Sequence, residues 1–130
     1  MQAVRMGYIN TYDSKSGMAT VIFPDEGGKI SSELPFLNIG GICIPPDLGD
    51  PVVVLYRGKG ASDAFIAGGF WNEENTPQAG GDPCIDLKGG ACIRQVGGLL
   101  ELKDSGGSIT VAELLEELAR LDRRISSLEN

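Results

Sequence analysis

The sequence predicts a mainly β protein that consists of an N-terminal OB-type barrel, a glycine-punctuated β-segment and a C-terminal α-helix. Short β-branched and aromatic runs, separated by turn residues, fill the first 71 positions. Glycine doublets then recur at intervals of eight or nine residues between positions 80 and 107. From position 111 to 128 the apolar residues alternate at spacings of three and four, the period of an amphipathic helix. We therefore expect three parts, over residues 1–78, 79–111 and 112–130.

The first part contains five predicted strands with no helical periodicity between them, which fits a small antiparallel barrel of the OB type by strand count. All eight aromatic residues of the chain lie there, so this part has the bulk to build a core of its own. Residues 72–83 are polar and carry proline and glycine, as expected of a linker. The strands are predicted at residues 2–12, 18–23, 30–37 (broken by Pro35), 51–56 and 64–71.

A period of two runs through the glycine-punctuated segment. Counted from each doublet, alternate residues are apolar except Arg94, so each strand should present them to the same side of a sheet. Since the segment has no aromatic residue to cover that face, we expect it to pack against further copies of the chain. A β-meander that lies on the barrel of the same chain is the alternative. The alternate residues are Ile85, Leu87, Cys92, Arg94, Val96, Leu100, Leu102, Ile109 and Val111.

The last segment begins with a capping-box sequence, in which Thr110 is the N-cap and Glu113 the N3 carboxylate. Its apolar residues occupy the a and d positions of a short coiled coil. Leu115 at an e position widens the apolar stripe and favours three or more helices over two. An amphipathic helix packed on its own domain is the alternative. The a and d residues are Val111, Leu114, Leu118, Leu121, Ile125 and Leu128.

The composition points away from catalysis. The 130 residues include 11 Lys and Arg, 18 Asp and Glu and no histidine, which excludes His-dependent nucleophiles and His-ligated metal sites. The net charge of −7 argues against a general binder of nucleic acids or anionic membranes, because both rely on a positive surface. The sequence has no phosphate-binding glycine loop and no calcium loop. We expect a protein that is not an enzyme, with no catalytic residue, metal site or cofactor.

The three cysteines, Cys43, Cys84 and Cys92, are irregularly spaced and odd in number. They are therefore expected to be reduced thiols rather than a disulfide framework. The sequence shows no secretory signal and no apolar run of membrane-spanning length. We expect the chain to be made and folded in a cytoplasm.

Over residues 6–77 the chain carries an ordered set of motifs, which covers somewhat more than half of its length. The motifs are Met6-Gly7-Tyr8-Ile9 with Asp13 and Gly17, Ala19-Thr20-Val21-Ile22-Phe23-Pro24, Leu34-Pro35, Pro46-Asp47-Leu48-Gly49-Asp50-Pro51-Val52-Val53-Val54, and Ala67-Gly68-Gly69-Phe70-Trp71-Asn72 with Asn75 and Pro77. As a set they resemble the phage baseplate assembly protein V family, the central spike proteins of contractile phage tails. The spike of type VI secretion is built on a related plan.

The resemblance implies an OB barrel followed by a short intertwined trimeric β-helix. It also implies a homotrimeric spike or hub at the end of the tail tube, which acts in baseplate assembly and host envelope penetration. The implied partners are other baseplate and tail-tube proteins, with transient contact with the host envelope. The implied location is the virion tail baseplate, after assembly in the bacterial host cytoplasm.

The chain departs from many such spikes in two ways. It lacks the His-x-His iron site, and a helix follows the β-segment where a piercing tip would lie, so a separate tip protein is an expected partner. A single-stranded nucleic-acid-binding OB protein is the alternative function, although residues 1–78 carry five basic against nine acidic groups. The expected trimer interface consists of Ile85, Leu87, Val96, Leu100, Leu102, Ile109, Val111, Leu114, Leu118, Leu121, Ile125 and Leu128.

Overall fold

The computed structural model describes residues 3–58, 60–74, 76 and 81–129. Within these residues it contains ten β-strands, one short 3-10 helix and one α-helix, which confirms the prediction of a mainly β chain with a C-terminal helix. The contacts between residues divide the chain into two units, Met1–Asn72 and Glu73–Asn130. Part of the predicted linker and the first glycine of the doublet at 80 and 81 lie outside the described residues, as do Lys59, Asn75 and Pro77.

The first unit is built on a six-stranded antiparallel sheet. Its strands are β1 (Val4–Asp13), β2 (Met18–Phe23), β3 (Lys29–Ile30), β4 (Leu34–Pro35), β5 (Pro51–Tyr56) and β6 (Ala64–Gly69), and a 3-10 helix (Pro24–Glu26) follows β2. The sheet order is β3, β2, β1, β5, β6, and β4 also pairs with β2. The strands predicted at 18–23 and 51–56 are confirmed with the same bounds, whereas β6 ends two residues before its predicted end.

The core of the first unit lies on one face of this sheet. In β2 buried and half-buried residues alternate strictly, and in β5 they alternate from Pro51 to Leu55, as expected of strands with one face covered. β-Branched residues such as Val21 and Val54 suit this position because they pack well on a pleated surface. The buried core residues are Ile9, Ala19, Val21, Phe23, Leu34, Val52, Val54, Ala64 and Ile66.

The first unit does not form the closed barrel that the sequence predicts. The strand predicted at 30–37 consists of two pieces of two residues each, β3 and β4, because between them the Ser31 hydroxyl takes the place of a backbone carbonyl and accepts from the Val21 N–H at 2.9 Å. An isolated bridge joins Phe36 to Ile66 in β6, where the Leu37 N–H donates to the Ile66 carbonyl at 2.8 Å. No further strand pairing continues from this bridge among the described residues, so the sheet stays open.

Gly7 marks a close approach between β1 and β2. A Cβ atom at this position would lie 2.5 Å from Val21 Cγ1 and 2.7 Å from the Ile22 carbonyl oxygen. Both distances are well inside van der Waals contact, and close-packed interiors leave no room for such an atom. Glycine at position 7 therefore allows β1 to lie directly on the core.

The second unit contains a four-stranded antiparallel meander and the helix. The strands are β7 (Cys84–Lys88), β8 (Ala91–Val96), β9 (Leu99–Asp104) and β10 (Gly107–Thr110), in the order β10, β9, β8, β7. The doublets at 89–90 and 97–98 form two-residue turns in which all four glycines have positive φ, as tight hairpins require. The pairing is complete within one chain, so the intertwined trimeric β-helix stays a prediction.

The α-helix α1 (Val111–Glu129) starts at the predicted capping box. The Thr110 hydroxyl accepts from the Glu113 N–H at 3.1 Å, and the Glu113 carboxylate accepts from the Thr110 N–H at 3.0 Å. These reciprocal bonds satisfy two donors that a helix start otherwise leaves unpaired. The backbone and hydroxyl of Thr110 hold the pKa of the Glu113 carboxyl below its ordinary value.

Candidate self-association surface

The register of the second sheet aligns four apolar side chains in one row. Ile85 pairs with Ile93, Ile93 with Leu102, and Leu102 with Ile109. Directly paired residues point to the same side of a sheet, so the row crosses all four strands on one face. Leu100, two residues before Leu102, extends this face. We call it the meander face (Ile85, Ile93, Leu100, Leu102 and Ile109).

The meander face is largely open within one chain. Three of its five side chains are between 42% and 49% exposed, and the other two are half-buried. Leu87, near the end of β7, is 44% exposed. A contiguous apolar surface of this kind is typical of a site that contacts another protein.

The predicted phase of β8 is wrong on both sides of the strand. A regular ladder out of the glycine turn at 89–90 would pair Ile85 with Arg94, but the register shifts between Asp86 and Lys88, so that Ile85 pairs with Ile93. Lys88, in this bulge, has a φ of 77° and is the one non-glycine residue with positive φ in the described ranges. On the other side of β8 the two-residue turn at 97–98 pairs Val96 with Leu99, which puts Val96 on the face opposite Leu100.

The opposite face of the meander therefore carries Cys92, Arg94 and Val96, and the predicted interface residue Val96 does not lie on the meander face. Cys92 is 2% exposed. Arg94 Nε lies 2.6 Å from Glu101 Oε1 on the neighbouring strand, and this bond raises the pKa of the Arg94 guanidinium. Arg94, the exception to the apolar rule in the sequence, is thus paired with a carboxylate on the more polar face.

The apolar a and d residues of α1 are exposed along the helix within one chain. We call them the helix stripe (Val111, Leu114, Leu118, Leu121, Ile125 and Leu128). None of the described helix residues is buried, and the exposed fractions of the stripe run from 37% at Val111 to 86% at Leu128. Leu115, at the e position, is 62% exposed. α1 contacts β9 and β10, and these contacts leave the stripe uncovered.

The surface offers apolar contact rather than reactive groups. Across the described ranges no cluster of three or more potential metal-ligating side chains is present. Within the same part of the chain, no helix is long and apolar enough to cross a membrane. The three cysteines are free thiols, as predicted, with Cys43 exposed, Cys84 half-buried and Cys92 buried.

The first unit carries an apolar surface that the sequence analysis missed. Val4, Met6 and Tyr8 are 46–59% exposed, on the face of β1 opposite the core. With Pro51 and Phe70 they line a groove of about 420 Å³, which we call the outer groove. The sequence does carry a signal for this surface, because β1 has apolar residues on both of its faces, whereas in a strand with one solvent-exposed face apolar and polar residues normally alternate.

The loop between β4 and β5 is also unusually apolar for an exposed segment. We call residues 37–46 the apolar loop. Its aliphatic side chains are exposed, by 60% or more at Ile39 and Ile42. The sequence predicts a loop here, because its Gly-Gly and Pro-Pro pairs are typical of turns, but it indicates no role for the loop.

No family model matches this sequence, and the search of curated proteins found no match. The resemblance over residues 6–77 is therefore a proposal.

Proposed function

We propose that this chain is a structural subunit of a contractile-tail baseplate and forms, as a homotrimer, the central spike or hub at the end of the tail tube. In this role it takes part in baseplate assembly and host envelope penetration. The observation that carries the proposal is the helix stripe, whose six apolar side chains are not buried within the chain. The motif order over residues 6–77 supplies the baseplate setting.

The helix stripe supplies enough apolar surface to drive association. The exposed fractions of its six side chains add up to about three complete side chains. Burying a large aliphatic side chain stabilises by about 1.5–3 kcal/mol, so the stripe contributes about 5–9 kcal/mol per chain. A helix of 19 residues is marginal by itself in water, and packing against other helices stabilises it. Leu115 at the e position broadens the contact and favours three helices over two.

The charges beside the stripe permit a parallel arrangement. In a parallel bundle Arg124 at g faces Glu129 at e of the next helix, which is favourable. Glu117 at g faces Asp122 at e, which is unfavourable. Arg120 forms an ion pair with Glu117 on the same helix, and this pair reduces the repulsion.

The meander faces of three chains complete the proposed rod. Each meander turns its apolar face toward the threefold axis, where the other two faces cover it. β7 and β10 are the edge strands of the meander, and pairing between the edge strands of neighbouring chains would give the intertwined β-helix. Strands and helices that are held by three chains must separate together, so the rod resists unfolding under load.

The proposed mechanism is mechanical. The first units form a collar at the end of the tail tube, in contact with other baseplate and tail-tube proteins. Sheath contraction drives the rod toward the host envelope, and a separate protein supplies the tip. The net charge of −7 limits adhesion to anionic lipids and DNA on the way.

Two measurements test the proposal. Light scattering on the purified chain should give about 41 kDa, three times the chain mass of 13.7 kDa. Antibodies against the chain should label the end of the tail tube in electron micrographs of tail particles. A stable monomer refutes the trimer, and label along the sheath, or a lack of label on disrupted tails, refutes the position.

A further inference from the structure

We infer that the outer groove of one chain binds the apolar loop of a neighbouring copy, so that three first units close into a ring. This inference rests on the proposed trimer and names the contact that joins its first units. Each first unit carries one groove and one loop, and in the ring each groove receives the loop of the next chain.

The outer groove can accept an apolar occupant because its one cation is already neutralised. Arg5 NH2 lies 3.3 Å from both Asp25 Oδ1 and Glu26 Oε2. The same guanidinium lies 3.7 Å over the centre of the Phe23 ring, and the Arg5 side chain is 10% exposed. Covering the groove therefore buries no cation that lacks a partner, because the Arg5 guanidinium keeps its two carboxylates.

The apolar loop has the matching properties. None of its ten residues carries a charge, in a chain of which 22% is charged. Its tip is a defined turn, in which Asn38 Oδ1 accepts from the Gly41 N–H at 2.7 Å and the Ile39 carbonyl accepts from the Ile42 N–H at 3.1 Å. Gly40 and Gly41 have φ of 61° and 78°, as this turn requires. Ile39 and Ile42 are thus held side by side before binding, which lowers the entropy lost on docking.

The loop and the groove lie at different places along β1. The base of the loop is fixed at Tyr12, whose ring meets Phe36 edge-on at 6.0 Å. Burial raises the pKa of Tyr12, and its contact with Cys43, to which the Tyr12 hydroxyl donates a hydrogen bond, adds to the rise. Tyr12 is four residues beyond Tyr8 of the groove, or about 13 Å along an extended strand.

Two different patches on one unit are what a ring needs. A cyclic trimer has head-to-tail contacts, in which one surface of each copy meets a different surface of the next. Copies with a net charge of −7 repel each other, so contact is least costly between uncharged patches. The uncharged loop and the groove, whose one cation is ion-paired, are such a pair, whereas two grooves or two loops in contact would give a dimer.

The test is a cysteine pair in the full chain, Met6→Cys with Ile42→Cys, in a background that carries Cys43→Ser and Cys84→Ser. Mild oxidation should give a covalent trimer of about 41 kDa on a non-reducing gel, three times the 13.7 kDa chain. Met6→Cys and Ile42→Cys alone, in the same background, are the matched controls and should stay uncrosslinked. Crosslinked dimers from either single variant mean that like patches meet, which overturns the inference.

Light scattering on the same samples separates the two proposals. A trimer without the Met6 to Ile42 crosslink overturns the groove contact and leaves the proposed function in place. A monomer overturns both.

A charge pair gives a measurement that does not depend on disulfide geometry. Ile42→Asp should raise the concentration at which half of the trimer dissociates by about tenfold, and Met6→Lys in the same chain should restore it; no change on either substitution counts against the contact.

Discussion

Replacing Leu121 by aspartate places a carboxylate in the middle of the helix stripe. Leu121 is a d residue and is 43% exposed within one chain. In the proposed trimer two other helices cover the exposed part of this side chain. In the variant, three carboxylates would therefore meet near the axis. We expect Leu121→Asp to dissociate the trimer. Ala119→Asp is the matched control, because Ala119 is an exposed b residue of the same helix, outside the stripe.

The size of the effect follows from the burial of the stripe. Truncating a buried leucine costs about 2–5 kcal/mol, and an ionised carboxylate in its place adds to this loss. For three chains the loss is about 6–15 kcal/mol, against about 15–27 kcal/mol from the stripes of a whole trimer. If the stripe faced water in a monomer, the same substitution would change the stability by about 0.5 kcal/mol or less, beyond the small helix-propensity loss that the control shares.

Light scattering and thermal unfolding measure this difference. The mass of Leu121→Asp at micromolar concentration should fall from about 41 kDa toward the chain mass of 13.7 kDa, and its Tm should fall and depend on concentration. Ala119→Asp should keep the trimer mass. If Leu121→Asp leaves both the mass and the Tm unchanged, the coiled-coil assignment is wrong.

Three further predictions concern the core, the helix cap and the alternative function. Gly7→Ala overpacks the core against Val21 and should lower the free energy of unfolding by about 1–3 kcal/mol, which corresponds to about 5–20 °C in Tm. The control Gly60→Ala, whose added Cβ would have no atom closer than 4.0 Å, should leave the Tm unchanged in calorimetry. The pKa of Glu113 in the folded chain lies below its ordinary 4.5, so the cap stabilises the helix above pH 4.5 and loses this effect as the pH falls through the folded pKa. Glu113→Gln should therefore reduce the acid-induced loss of ellipticity at 222 nm, whereas Glu116→Gln should leave it unchanged. Titration with a labelled single-stranded oligonucleotide at low salt should show no binding at micromolar concentration, and salt-sensitive binding there would favour the nucleic-acid alternative.

The elements that the sequence predicts well are those whose signals are local. β2 and β5 combine alternating β-branched residues with flanking turn residues, and their bounds need no information from elsewhere in the chain. The helix starts where Thr110 and Glu113 cap each other, which is visible in four consecutive residues. Pro35 was predicted to break the third strand, but it lies at the end of β4, and the gap between β3 and β4 is at residues 31–33.

The features that the sequence did not reveal depend on long-range pairing or on one backbone angle. The outer groove brings Met6 together with Pro51 and Phe70, which are far apart in the chain and form no motif. The register between β7 and β8 depends on a bulge at which Lys88 has a positive φ, and a lysine in a sequence gives no sign of that angle. The composition of the meander was therefore predictable, whereas the face on which Val96 lies was not.

The bulge at Lys88 makes the number of residues in β7 as important as their identity. Successive side chains of a strand point to opposite faces of the sheet, so one inserted or deleted residue moves every later side chain of that strand to the other face. Aliphatic substitutions at Ile85 or Ile93 preserve this alternation, whereas an insertion between them breaks it. Related chains, if they share this sheet, should vary freely in side chains here and very little in length.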